Sequence, residues 1–394
     1  MCAARMESII GAMTHPELLD RSELLKRTAA LGLVAVGAET LGPIAAAAAA
    51  GSRGGLTYRG ITYDTGIDQL GGNTRVRWTR ALMAGEIDAI ADGLHCNAVS
   101  VTGTRIPRLI QTAEAALERG MHVMLQPRNY DRPRTEVLDH LARTAREAER
   151  LRMRHPGRVA LIAGCEQSLF TPGIVPGDTF LERIAFLGSG KVDFDALRER
   201  LNVFLGQAAT VARAHFGGDL TYAAGVFEQV DWTPFDIVGV DYYEFHRSRS
   251  GHARELARYR RWNRPILICE FGCCTYKGAP RRGGSGYDIV DYDHGRPKLV
   301  GKPVRSEATQ ARYIAQMLDV FESQDLLGTF VYTFISPDVP SSKTPKYNLD
   351  TAAFSVVKVI LEDEQDYESK YRWVPKRAFH AIAAHNRSAD MSDR

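Results

Sequence analysis

Two glutamates stand where residue type and spacing could do chemistry. The apolar run 159–165 stops at Glu166, and the apolar run 265–269 stops at Glu270. A short continuous apolar run bounded by turn residues fits a strand buried on both faces better than a helix. A carboxylate at the carboxyl end of such a strand has no packing role. Parallel α/β sheets and barrels open all such ends on one face, where sites are built. Two carboxylates placed this way suit acid/base or nucleophilic work, or else they cap the helices that follow or pair with arginines.

The elements that must position them follow from the same patterns. Further strands are expected at 56–64, 96–102, 122–128, 220–228, 235–245 and 328–335. Apolar residues at helical spacing predict helices over 75–94, 106–119, 134–154, 180–187, 194–215, 252–262, 306–324 and 377–385. Eight strands alternating with helices predict an α/β chain folded as a (β/α)8 TIM barrel, with 51–394 as one catalytic domain. A doubly wound sheet would want a glycine-rich phosphate turn after the first strand. The chain instead offers Thr65, Gly66, Ile67 and Asp68. The long loop 275–304 carries Arg281 and Arg282, either to close over an anionic substrate or as a plain lid.

The chain has 394 residues and a net charge of +3, too mild a balance to point to nucleic acid. Arg143, Arg146, Arg150, Arg152 and Arg154 recur at helical spacing as a solvated face. No 18-residue uncharged apolar run is present, which argues against stable membrane insertion. Cys96, Cys165 and Cys269 sit within or at the ends of apolar runs, as small hydrophobes. The cysteines and histidines lack convergent metal-ligand spacing, so neither metal nor cofactor is expected. A basic stretch at 21–27, an uncharged stretch at 28–38 and alanines at 45–50 have the order of a signal peptide. Ser22 stands where a twin-arginine signal has its second arginine. Residues 1–50 are therefore read as a signal-like or disordered segment, with export expected and a cytoplasmic location as the alternative. The oligomeric state is not legible.

With strands counted, Glu166 falls at the end of the fourth and Glu270 at the end of the seventh. This resembles the retaining glycoside hydrolases of clan A, and the segment 238–243, ending in Tyr242 and Tyr243, is similar to one common there. The resemblance implies that Glu166 is the acid/base, that Glu270 is the nucleophile, and that Tyr243 donates to Glu270. The chain departs from the clan at three places. Cys165 occupies the position of an asparagine that binds the sugar 2-hydroxyl, Ser100 replaces an arginine, and Tyr332 and Phe334 stand in for a tryptophan platform. Segments 94–99 and 174–182 also resemble actinobacterial barrel proteins labelled "abortive infection protein", which implies phage exclusion.

Several residues are candidate supports. Glu228 would bind substrate hydroxyls, join a hydrogen-bond network or pair with Arg128. Asp64 is a further candidate at the end of the first strand. Trp232 would stack on a sugar face or pack in the core, and Asp241 would orient Tyr243 or Glu270. The expected activity is cleavage of a small glycoside or oligosaccharide by a two-carboxylate retaining mechanism, without cofactor. Two rivals remain: glycosyl transfer or acid-promoted cyclisation on the same acid pair, and a catalytically silent barrel with a binding or phage-defence role.

Overall fold

The computed structural model describes residues 55–392, apart from Leu70 and His294, so the signal-like segment lies outside the described residues. The predicted barrel is present. Strands β1 (Tyr58–Asp64), β2 (Ala98–Gly103), β3 (His122–Pro127), β4 (Val159–Cys165), β5 (Leu220–Gly225), β6 (Val238–Asp241), β7 (Ile266–Phe271) and β8 (Gly328–Val331) are all parallel. They close in chain order, with β8 returning to pair with β1 at Ile61–Val331. Both faces of each strand are covered, which is why continuous apolar runs encode them. Tyr58, Met124, Ile162, Leu267 and Phe330 pack in one small interior cluster. Leu125, Leu161, Val240 and Ile268 belong to the larger core that includes the helices.

Helices α1 (Arg80–Asp88), α2 (Ile106–Glu118), α3 (Arg134–Arg154), α4 (Phe180–Leu187), α5 (Phe194–Arg213), α6 (Arg249–Ala257), α7 (Glu307–Glu322) and α8 (Arg377–Ser392) accompany the strands. Side chains of Thr79, Thr179, Asp193, Ser248 and Ser306 cap five of them, satisfying amide donors of the first turn. No helix among the described residues is long and apolar enough to cross a membrane.

Some boundaries differ from the sequence reading. The sixth strand ends at Asp241, so Tyr243 lies beyond it, and the eighth ends at Val331. The loop 275–304 contains a 3-10 segment, Ala279–Tyr287, and a two-residue pairing of Val290–Asp291 with Lys298–Leu299. An antiparallel hairpin, β9 (Val357–Leu361) and β10 (Tyr371–Pro375), follows the barrel. Just after it, buried Lys376 pairs with Asp350 at 2.8 Å and donates to Thr275 Oγ1 at 3.0 Å, tying the hairpin to the loop after β7.

Two irregularities matter most for the site. Between Ile162 and Cys165, β4 advances three residues while β5 advances two, from Thr221 to Ala223. Between Ile268 and Glu270, β7 likewise advances two residues while β6 advances one, from Val240 to Asp241. The register of β7 with β8 shows the same extra residue. A one-residue insertion re-aims the side chains that follow it, and such bulges recur at barrel rims beside active sites. Cys165 is thereby turned into the interior cluster instead of out toward the helices.

Candidate active site

Glu166 follows β4 directly and adopts a left-handed conformation, with φ of 41°, before the short helical turn Gln167–Phe170. That conformation is uncommon for a residue with a side chain and recurs at functional sites. The turn is held from β5. Glu228 accepts from Ser168 N at 3.0 Å, from Gly225 N at 3.1 Å and from the Tyr222 hydroxyl at 2.8 Å. Tyr222 in turn accepts from Gln167 N at 2.6 Å. Glu228 therefore braces the turn that presents Glu166 and does not pair with Arg128.

Glu270, 6% exposed, lies within β7. Its Oε1 forms a buried ion pair with Arg128, which extends from the end of β3. Its Oε2 accepts from the Tyr243 hydroxyl at 2.9 Å. Arg128 is fixed by Gln126, two residues earlier, whose Oε1 accepts from Nε at 3.0 Å and Nη2 at 2.6 Å. Alternation along an extended segment puts Gln126 and Arg128 on one side. The guanidinium beside Glu270 thus comes from the end of β3.

The two glutamates sit in contrasting environments. Burial, and then the charges of Glu228 and Glu270, push the Glu166 carboxyl up to about 8, against a smaller lowering by Arg128. Glu270 has a cation on one oxygen and a hydroxyl donor on the other. Asp241 is buried beside it, register partner to Glu270, and accepts from the Cys165 thiol at 3.4 Å. Burial and the neighbouring charges of Glu270 and Glu166 push Asp241 well above the usual carboxylate range. Cys165, Asp241 and Glu270 each offer an atom within 4.8 Å of the others, the spacing of a metal site. The guanidinium already bound to Glu270 repels a cation there, so this donor set does not fit a metal.

The remaining candidates are placed as follows. Asp64 accepts from Gly66 N at 2.7 Å and from Thr74 Oγ1, which commits both oxygens to its own loop. Trp232 is 2% exposed and packs edge-on to Phe235, with ring centroids 5.8 Å apart. It belongs to the core and has no free face for a sugar. Tyr332 and Tyr243 flank Phe354, with centroids 5.8 and 5.7 Å from it, as an aromatic wall beside Glu270. Phe334 is buried against Tyr63 and Trp373, outside that wall.

Sequence reasoning missed Tyr222, Gln126 and the stacked pair Tyr130 and Phe170, whose rings lie 3.7 Å apart. Only Gln126 carried a signal, its two-residue spacing from Arg128. Of the segments behind the second resemblance, 94–99 runs into the amino end of β2. There Asn97 bonds the backbone of Arg59 and Thr57, at the barrel face that serves stability.

By sequence the chain matches no family description and no curated protein. By structure it is similar to a β-glycosidase at 10% identity and a TM-score of 0.51, over 84% of this chain and 96% of that one. It is similar to a broad-specificity endoglucanase from Clostridium longisporum at 11% identity and a TM-score of 0.51, over 84% and 97%. A β-glucuronidase from Bacteroides uniformis matches at 16% identity and a TM-score of 0.51, over 83% of this chain but 34% of that one. At such identities the likeness establishes the architecture: this chain has the (β/α)8 barrel found in those glycosidases.

Proposed function

We propose that residues 51–394 form a retaining glycosidase acting on a small glycoside or oligosaccharide. One observation carries the reading. Two glutamates, each following a one-residue insertion in its strand, meet contrasting environments: burial and like charges push Glu166 up to about 8, while Glu270 pairs with Arg128 and accepts from Tyr243. A carboxyl that keeps its proton opposite a carboxylate paired with a cation supplies an acid and a nucleophile. Glu166, with its proton retained to about pH 8, protonates the leaving oxygen. Glu270, charged beside Arg128 and Tyr243, attacks the anomeric carbon and forms a glycosyl ester. Glu166, now ionised, takes a proton from the water that hydrolyses the ester and is restored. Tyr332 and Tyr243 supply hydrophobic faces suited to a pyranose ring. The solved glycosidases of similar architecture support the reading as analogy.

The test is covalent labelling. Incubation with a panel of activated 2-fluoro glycosides should add one sugar mass, mapped to the peptide carrying Glu270 and absent in Glu270→Gln. The reactive member names the sugar. Absence of labelling across the panel, in folded protein, would leave the binding or phage-defence reading. Cys165 favours a second reading, because its thiol faces Asp241 and offers no amide to a sugar hydroxyl. On that reading the labelled enzyme would be released by an acceptor sugar but not by water.

A further inference from the structure

Asp241 is a third carboxyl in the site, and the acid/base and nucleophile roles do not use it. It is 1% exposed at the end of β6, and the extra residue in β7 makes it the direct register partner of Glu270. Its Oδ2 accepts from the Cys165 thiol, while its Oδ1 is buried without a partner. One carboxylate oxygen of Glu270 and one of Asp241 lie within 4.8 Å of each other. The groups facing Asp241 are Cys165 and Glu166 from β4 and its turn, Tyr243 from the segment after β6, Cys269 and Glu270 from β7, and Arg128 from the end of β3. Only Arg128 is cationic among these, and its Nη2 and Nε are committed to Glu270 and Gln126.

Two buried carboxyls this close cannot both ionise against one guanidinium. Glu270 holds the guanidinium and the Tyr243 hydroxyl, so the negative charge belongs on Glu270 and the proton on Asp241. Since the thiol donates to Oδ2, the proton sits on Oδ1, the oxygen with no donor of its own.

We propose that Asp241 and Glu270 form a carboxylic acid/carboxylate dyad holding one proton, with Asp241 as the positioning residue that carries it and leaves Glu270 the sole charge. The dyad rests on the reading of Glu270 as nucleophile. It also accounts for Cys165: a thiol is a weak donor, sufficient to orient a neutral acid without drawing it into ionisation. An amide or a cation at that position would stabilise the charged form.

The proton can be observed without turnover. Infrared spectra at neutral pH should show a protonated carboxyl stretch that is lost in Asp241→Asn. Recording both in a Glu166→Gln background removes that carboxyl from the comparison, and the difference between the paired spectra cancels Asp338, which burial pushes up to about 7. If Asp241→Asn does not fold, carboxyl-labelled aspartate NMR of the unmutated chain replaces it. One buried resonance should then stay neutral at pH 7 and shift in Cys165→Ala. Labelling of Glu270 by the reactive 2-fluoro glycoside should slow by no more than about tenfold in Asp241→Asn, which keeps a neutral donor, and by about a hundredfold in Asp241→Leu. An unchanged carboxyl band, or equal slowing by Asn and Leu, overturns the dyad. Failure of labelling in the unmutated enzyme with the band present overturns the nucleophile assignment, and with it the catalytic meaning of the dyad, but leaves the proton on Asp241.

Discussion

Arg128 and Glu270 form a buried ion pair that joins the carboxyl ends of β3 and β7 across the barrel mouth. A pair at this depth is costly to break, because the remaining partner is left charged without compensation. Arg128→Met should lower unfolding free energy by about 3 kcal/mol and abolish labelling at neutral pH. The double variant Arg128→Met/Glu270→Gln should recover part of that stability. Equal instability of the single and double variants in urea titrations would show that the pair is not coupled.

The hydroxyl of Tyr243 is the second donor to Glu270, at 2.9 Å. On the proposed mechanism it supports a charge that is lost when the ester forms, so its contribution differs along the reaction. Tyr243→Phe keeps the ring against Phe354 and should leave the melting temperature within about 2 °C. Turnover should fall by about 10- to 100-fold, the usual range for one hydrogen bond to a charged group. Steady-state kinetics on the substrate identified by labelling would measure it. An unchanged kcat would remove Tyr243 from the mechanism.

Glu166 predicts a pH dependence of two kinds. Activity should fall on the alkaline side near pH 8, where the acid loses its proton. Glu228 contributes a like charge that raises this affinity, so Glu228→Gln should move the alkaline limb to lower pH. Stability changes in the same window. The folded chain keeps a proton that the unfolded carboxyl releases at an ordinary value of 4.5, so folding is weakened as pH rises from there to about 8. Glu166→Gln should therefore melt higher than the unmutated chain at pH 9 and equally at pH 4. An alkaline limb unmoved in Glu228→Gln would contradict the electrostatic account.

The strands and both glutamates were legible because strands buried on two faces need continuous apolar runs, and a charge ending such a run stands out. The insertions in β4 and β7 were not. One extra residue leaves composition unchanged and appears only in pairing with a neighbouring strand. For the same reason the sequence makes Asp241 a candidate orienter of Tyr243 or Glu270 without revealing that register sets it directly beside Glu270. Arg128 was visible at the end of its strand, but its partner lies on a strand 142 residues away, brought near by barrel closure alone. Trp232 shows the opposite limit. A tryptophan just past a strand end reads equally well as platform or core, and only the packing of Tyr222 and Phe235 around it decides.

Gly225, the last residue of β5, gives the sharpest test of how Glu166 is placed. A Cβ there would lie 2.7 Å from Glu166 Oε1 and 2.5 Å from the Phe227 ring. The backbone of Gly225 also brackets Glu228, donating to its carboxylate at 3.1 Å and accepting from its N–H at 2.9 Å. Gly225→Ala must displace the acid, the ring or the brace. The end of the Glu166 side chain is the softest of the three. The fold should survive, with circular dichroism unchanged and a melting temperature lowered by a few degrees at most. Misplacing a catalytic group by about 1 Å costs about a hundredfold in rate, so kcat should fall by that order. The alkaline limb should shift too, because a carboxyl moved from its place beside Glu228 and Glu270 no longer holds its proton to about pH 8. A variant that folds, turns over normally and keeps the same limb would mean that Glu166 does not work from this position.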